Sequence, residues 1–218
     1  MSNTPNDYYN GTRPDIYEFL PSEYTKVLEI GCGHGGFRPN LKANCEYWGV
    51  EPFSSAYNKA SEVLNYTLHG TYDDVSSEIP NNYFDLIICN DVIEHMVDHD
   101  KFFDDIKSKM TNNGSIVGSI PNVRFLPNLL SLIFNKDWEY QDSGILDRTH
   151  LRFFTKKSLL RTITQHGYTI EKFNGINNLS YKPTSLRKML KIISVNIIGK
   201  DTLSLQFAFR IKKLSLSN

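Results

Sequence analysis

Short apolar runs alternate with amphipathic stretches through the first half of the chain, and this rhythm predicts strands followed by helices. "KVLEI" (26–30), "EYWGVEP" (46–52), "YTLHG" (66–70), "FDLIICN" (84–90) and "SIVGSIPN" (115–122) are brief and apolar, as buried parallel strands are. "FDLIICN" is apolar on both faces and takes the centre. "SSAYNKASEVL" (54–64) and "HDKFFDDIKSKM" (99–110) carry apolar residues at helical spacing; serines cap the first and "TNNG" stops the second. Residues 37–43 predict another helix, its start confined by Pro39. Such alternation implies a parallel sheet with right-handed crossovers.

After Asn122 the pattern changes. Residues 123–147 form no strand and read as an inserted cap bearing Phe125, Leu126, Leu129, Leu130, Phe134, Trp138 and Tyr140. Such a cap either closes over an acceptor or makes a homodimer contact. "TKKSLLRTITQHG" (155–167) is a helix between the N-cap Thr155 and the stop Gly167, and "YTIEKFNG" (168–175) and "TLSLQFAFRI" (202–211) are the last strands. "SLRKMLKIISVNIIG" (185–199) is basic and amphipathic; it is expected to pack on its own domain, with peripheral membrane contact as the alternative. The whole makes one domain: an N-terminal flap (1–25), a core (26–122), a cap (123–154) and a C-terminal helix with strands (155–218).

Composition adds limits. A chain of 218 residues, 40% hydrophobic and 22% charged, suits one soluble globular domain. Three cysteines without a C-x-x-C pair argue against a disulfide framework and fit a cytoplasmic setting. No apolar run approaches the roughly 20 residues of a membrane span. The polar N-terminus is not a signal peptide. The net charge of zero hides an asymmetry: residues 1–110 hold 8 basic and 18 acidic side chains, and residues 111–218 hold 16 and 6. The basic half would steer an anionic ligand or form a solvated face. No basic patch interleaved with aromatics points to nucleic acid.

"VLEIGCGHGGF" (27–37) fits G-x-G-x-x-G through Gly31, Gly33 and Gly36, with Gly35 in addition. Glu51, at the end of the second strand, suits a ribose diol. Both features serve a dinucleotide oxidoreductase as well as a nucleoside-binding transferase. Glu29 separates them: a carboxylate at the first strand's end repels a pyrophosphate and attracts an ammonium. A ribose, an adenine and an amino-acid head together describe S-adenosyl-L-methionine. A cofactor-binding module without turnover is the third alternative.

The ordered series "VLEIGCGHGGF", "WGVEP", "FDLIICNDVIEH", "GSIVGSIPN" resembles class I S-adenosylmethionine-dependent methyltransferases. "GILDRTHLRFFTKKSL" (144–159) and "HGYTI" (166–170) resemble a narrower branch, bacterial enzymes associated with surface-polysaccharide synthesis and akin to quinone O-methyltransferases. The resemblance implies a Rossmann-like seven-stranded sheet in the order 3-2-1-4-5-7-6, mostly parallel, with helices on both faces. It implies that Glu29, Gly31, Cys32, Gly33 and Gly35 line the methionine end, that Glu51 takes the ribose and that Pro52 flanks the adenine. Asn90, Asp91 and Val92 would face the sulfonium. Where the family places an acid for the adenine amine this chain has Thr71, so Asp73 is expected to substitute, with Tyr72 against the ring. The implied acceptor is a small-molecule or saccharide-linked hydroxyl.

A hydroxyl acceptor must lose a proton as it attacks, and histidine suits that task. His95, just past the central strand in "DVIEH", is the expected catalytic base, with Asp91 and His150 as its catalytic companions and Glu94 beside the acceptor. His99 stands four residues on, but no third ligand is evident and no metal is expected. In "DRTHLRFF", strand periodicity would put His150 and Arg152 on one face, with Arg148 nearby, to hold an anionic group; an ion-pair network around Asp147 is the alternative. Asn122, Arg13 and Tyr9 complete the expected acceptor surroundings, the last two on the flap.

Overall fold

Seven strands form one sheet in the order β3-β2-β1-β4-β5-β7-β6. They are β1 Lys26–Ile30, β2 Glu46–Glu51, β3 Tyr66–His69, β4 Phe84–Asn90, β5 Met110–Pro121, β6 Tyr168–Asn178 and β7 Ser204–Lys213. β1 pairs in parallel with β2 and β4, β2 with β3, and β4 with β5, whereas β7 runs antiparallel to both β5 and β6. Helices α1 Ser54–Ala60, α2 Tyr72–Val75, α3 His99–Lys109, α4 Leu126–Phe134 and α5 Lys156–Gln165 fill the connections. The computed structural model describes residues 12–179 and 197–214, so Tyr9 and nearly all of the basic 185–199 segment lie outside the described residues.

The strand period of two divides the core. Leu28, Ile30, Ile87 and Cys89 pack with Phe102, Phe103 and Ile106 of α3 and Leu159 and Ile163 of α5. Val27, Leu86, Ile88 and Val117 face the other way, onto Ile16 and Phe19 of a 3-10 turn (Pro14–Phe19) and Ala60 of α1. Phe103 is fully buried; truncation to alanine there costs about 3–5 kcal/mol. Asp98 caps α3 by accepting from Lys101 N–H, and Thr155 caps α5 with a reciprocal Ser158 contact.

Several expected boundaries move. The helix over 37–43 is a single 3-10 turn, Arg38–Asn40, because Pro39 removes a donor there. β5 begins at Met110, which pairs with Phe84 before an irregularity that the polar "TNNG" accommodates. The cap contains α4, whose Leu126 is buried while Leu130, Ile133 and Phe134 face outward. Residues 148–152 form turns and extended chain, held by the bridges Gln141↔Asp147 and Asn122↔Phe154, rather than the expected strand. Among the described residues no helix is long and apolar enough to cross a membrane.

Candidate active site

The carboxyl ends of β1, β2 and β4 meet at the glycine loop. Gly31 has φ +71°, and a Cβ there would lie 2.6 Å from Val92 Cγ2. Only glycine fits both demands. The N–H groups of Gly31 and Cys32 donate to Val50 O at 2.8 and 3.1 Å. Gly33 N–H donates to one Glu51 oxygen at 2.9 Å, and Phe53 N–H donates to the other at 3.0 Å. Glu51 thus laces the two strand tips together while each oxygen keeps a lone pair free. Burial, opposed by those two N–H donors, raises its pKa. At the tip of β4 the Asn90 amide is buried with neither its oxygen nor its nitrogen bonded. An uncommitted amide, an open carboxylate and a side-chain-free backbone suit an adenosyl cofactor with an amino-acid head. Pro52 is exposed beside Glu51.

Four residues expected at the cofactor have side chains engaged within the protein. Glu29 is only 5% exposed and accepts the Tyr47 hydroxyl beneath the loop. Burial above all, with Glu51 adding, pushes its carboxyl up to about 8. The Cys32 side chain packs onto Gly49, where a Cβ would sit 2.5 Å from its sulfur, and anchors the loop from below. Tyr72 is buried edge-on to Phe102 with its hydroxyl 2.5 Å from Asp105. Asp73 is ion-paired with Lys101, and Asp74 caps α2 through Thr71.

Past the carboxyl ends of β4 and β5 lies a pocket of about 150 Å³, lined by Asp91, Glu94, Pro121, Gly144, Ile145, Asp147, His150, Leu205 and Gln206. Asp91 adopts φ +52°, a left-handed conformation that costs of order 1–3 kcal/mol outside glycine and clusters at functional sites. Ser119 Oγ and Gln206 Nε2 donate to one of its oxygens at 2.9 and 2.7 Å, and Arg13 pairs with the other. Arg13 also pairs with Asp15. Arg13 thus reaches the edge of this pocket through Asp91.

Glu94 is 1% exposed, and neither of its carboxylate oxygens has a hydrogen-bond partner. Burial, then Asp91, hold its pKa well above the usual carboxylate range. His150, 8% exposed, brings Nε2 to 3.9 Å from Glu94 Oε1. His95 lies edge-on to His150 with ring centroids 4.6 Å apart. Burial, then His150, lower the His95 pKa, so its neutral form dominates at neutral pH. Leu151 and Arg152 N–H both donate to Glu94 O, at 2.8 and 3.0 Å, which stitches the cap to the turn after β4.

The structure thus brings Asp91, Glu94, His95 and His150 together and leaves other expected residues outside. Asn122 is fully buried, donating to Asp201 O and Ser204 O and accepting from Arg124 N–H; it is a brace for the cap. Arg148 pairs with Asp142 at the surface, not with Asp147. Arg152 donates to backbone oxygens of Leu151 and Val97 and is exposed. The cap aromatics do not line the pocket; Gly144, Ile145, Asp147 and His150 of the cap do. Ser119 and Gln206 were missed by sequence reasoning; the signal was a polar residue near the end of an otherwise apolar strand.

The comparisons with known proteins agree with this geometry. The family model described as "Methyltransferase domain" matches residues 11–172. The chain is 26% identical over 176 residues to the ubiquinone biosynthesis O-methyltransferase of Rickettsia canadensis, covering 74% of this chain and 72% of that one. The fold is similar to an SAM-dependent methyltransferase from Archaeoglobus fulgidus (TM-score 0.61, 21% identity, 87% of this chain and 86% of that one). It is also similar to one from Mesorhizobium loti (TM-score 0.61, 13% identity, 92% and 96%). With the 3-2-1-4-5-7-6 sheet and a matched span of more than half its length, the chain belongs to the class I methyltransferase-domain family, as an enzyme that uses S-adenosylmethionine.

Proposed function

We propose that the protein transfers the methyl group of S-adenosylmethionine to a hydroxyl of a saccharide-linked acceptor in surface-glycan synthesis. Glu51, Asn90 and the Gly31–Gly35 loop would hold the cofactor; when bound it supplies an electrophilic methyl on a sulfonium. The observation that carries the acceptor reading is the pocket's lining: Asp91, Glu94, Asp147, His150 and Gln206 offer acceptors and donors, Pro121, Ile145 and Leu205 form its apolar wall, and no Phe, Tyr or Trp side chain lines it. That is chemistry for a hydroxyl-rich ligand, and the resemblance of residues 144–170 to the polysaccharide branch points the same way. The acceptor oxygen displaces a neutral thioether: the S–CH3 bond breaks as the O–CH3 bond forms. The hydroxyl proton goes to His95 in the ion-free site. Holding both reactants in a small pocket supplies most of the rate.

A second reading is favoured by the Rickettsia relative, whose name specifies ubiquinone synthesis: a phenolic hydroxyl as acceptor. Incubation with methyl-labelled cofactor and two pools, nucleotide-sugars with glycan extracts and catechols with hydroxyquinones, separates them. Label in a sugar product supports the first reading, and label confined to the phenols replaces it with the second.

A further inference from the structure

We infer that Glu94, His95 and His150 form a site for one divalent metal ion in the acceptor pocket. The inference rests on the reading of this pocket as the place where acceptor and methyl meet.

Each of the three residues offers one ligand atom, and these atoms all lie within 4.8 Å of one another. An ion with ligand distances of about 2.0–2.2 Å holds its ligands roughly 3–4 Å apart, so closure by about an ångström completes the set. Glu94 brings a buried carboxylate on which neither oxygen has a partner. A buried, unpaired polar group is costly, and a cation is the partner it lacks.

The two imidazoles are oriented for the same task. His150 Nδ1 stands 3.0 Å from Ile145 O, so that nitrogen carries the proton and donates. His95 Nδ1 stands 3.2 Å from Thr149 O and 3.1 Å from Thr149 Oγ1. The Thr149 hydroxyl spends its own proton on Asp147, at 2.6 Å, so its oxygen can only accept from His95. Both rings therefore place their lone pair on Nε2. Histidine ligands are commonly fixed this way, by a backbone or carboxylate partner on the other nitrogen. The hydrogen bonds from Leu151 and Arg152 to Glu94 O hold the two contributing segments in register.

Two imidazole nitrogens and one carboxylate oxygen favour zinc, iron or manganese over calcium. Three ligands leave coordination positions open toward the pocket. There the ion would take the acceptor hydroxyl and acidify it, the proton leaving to bulk water, while His95 serves as ligand instead of base.

The test uses the full chain, stripped with chelator, then dialysed against Mn2+ or Zn2+ and assayed by elemental mass spectrometry, calorimetry and, for Mn2+, electron paramagnetic resonance. We expect about one ion per chain. Glu94→Gln and His150→Ala should each weaken binding by at least about tenfold. His99→Ala should leave it unchanged, because His99 sits against Asp100 and Phe154 instead. Absence of saturable binding, or equal binding by all variants, overturns the site. If the Glu94 or His150 variants do not fold, nitrogen coupling to Mn2+ in the wild-type spectrum supports the inference and its absence overturns it. An ion-free chain that methylates sugar hydroxyls at full rate removes the metal and leaves the proposed function standing. A chain that binds one ion through these residues but methylates no hydroxyl does the reverse.

Discussion

Glu94 Oε1 and His150 Nε2 face each other across 3.9 Å in the pocket past β4, and no donor satisfies the carboxyl group. Evolution of a stable fold alone would not retain such a group, since an unpaired buried polar group costs about 1–3 kcal/mol. Glu94→Leu should therefore raise the unfolding free energy in metal-free buffer by about that amount while abolishing turnover. Urea denaturation and a methyl-transfer assay read the two effects; a destabilised variant would mean that Glu94 has a structural role.

Glu51 braces the glycine loop and, in the proposed function, holds the cofactor as well. Charge-assisted hydrogen bonds contribute about 1.5–3 kcal/mol each. Glu51→Ala should weaken cofactor binding by roughly 10- to 100-fold in calorimetry, and Glu51→Gln by less. Unchanged affinity would remove Glu51 from the ribose site.

Gly31 combines a positive φ with Val92 at 2.6 Å from any Cβ. Gly31→Ala should cost about 1–3 kcal/mol of stability and most of the cofactor affinity. Adding Val92→Ala relieves the clash but not the backbone strain, so it should restore only part of the loss. Thermal unfolding and cofactor titration of the single and double variants check this.

His166 clasps α5 to α3: its two ring nitrogens lie 2.9 Å from Asp104 and 2.8 Å from Asp100. Burial opposes its charge, but these carboxylates overcome it and raise the pKa. A group raised on folding contributes fully below its unfolded pKa, about 6.5, and loses that contribution as pH rises through the folded value. The melting-temperature gap between wild type and His166→Ala should be widest near pH 5.5 and narrow by pH 8. A gap independent of pH would show that the clasp is not ionic.

The strands were legible because parallel strands carry short apolar runs and the glycine loop ends the first of them; their order came only from the resemblance of the motif series. The loop's chemistry was less so. Glu29 reads as a surface acid until β2 brings the Tyr47 hydroxyl onto it, and Asn122 reads as a ligand group until Ser204 of β7 and Asp201 in the turn before it supply two carbonyls. His95 announced itself by following the central strand. Its meeting with Glu94 and His150 did not, because two backbone hydrogen bonds to Glu94 O, invisible in residue types, bring the cap there. His95 and His99, paired by spacing, are separated because a 3-10 turn, Ile93–His95, ends before α3 begins.

In the proposed reaction the pocket lined by Glu94 and His150, with His95 packed against His150, is where an acceptor hydroxyl takes the methyl group. Single-turnover transfer from labelled cofactor, with the product's methylated atom identified and His95→Ala run beside wild type, tests it most directly. The account predicts label on oxygen, with a loss of about 10²-fold or more in rate for the variant and cofactor affinity unchanged within about twofold. Label on nitrogen or carbon, or a variant whose rate is undiminished, would contradict it.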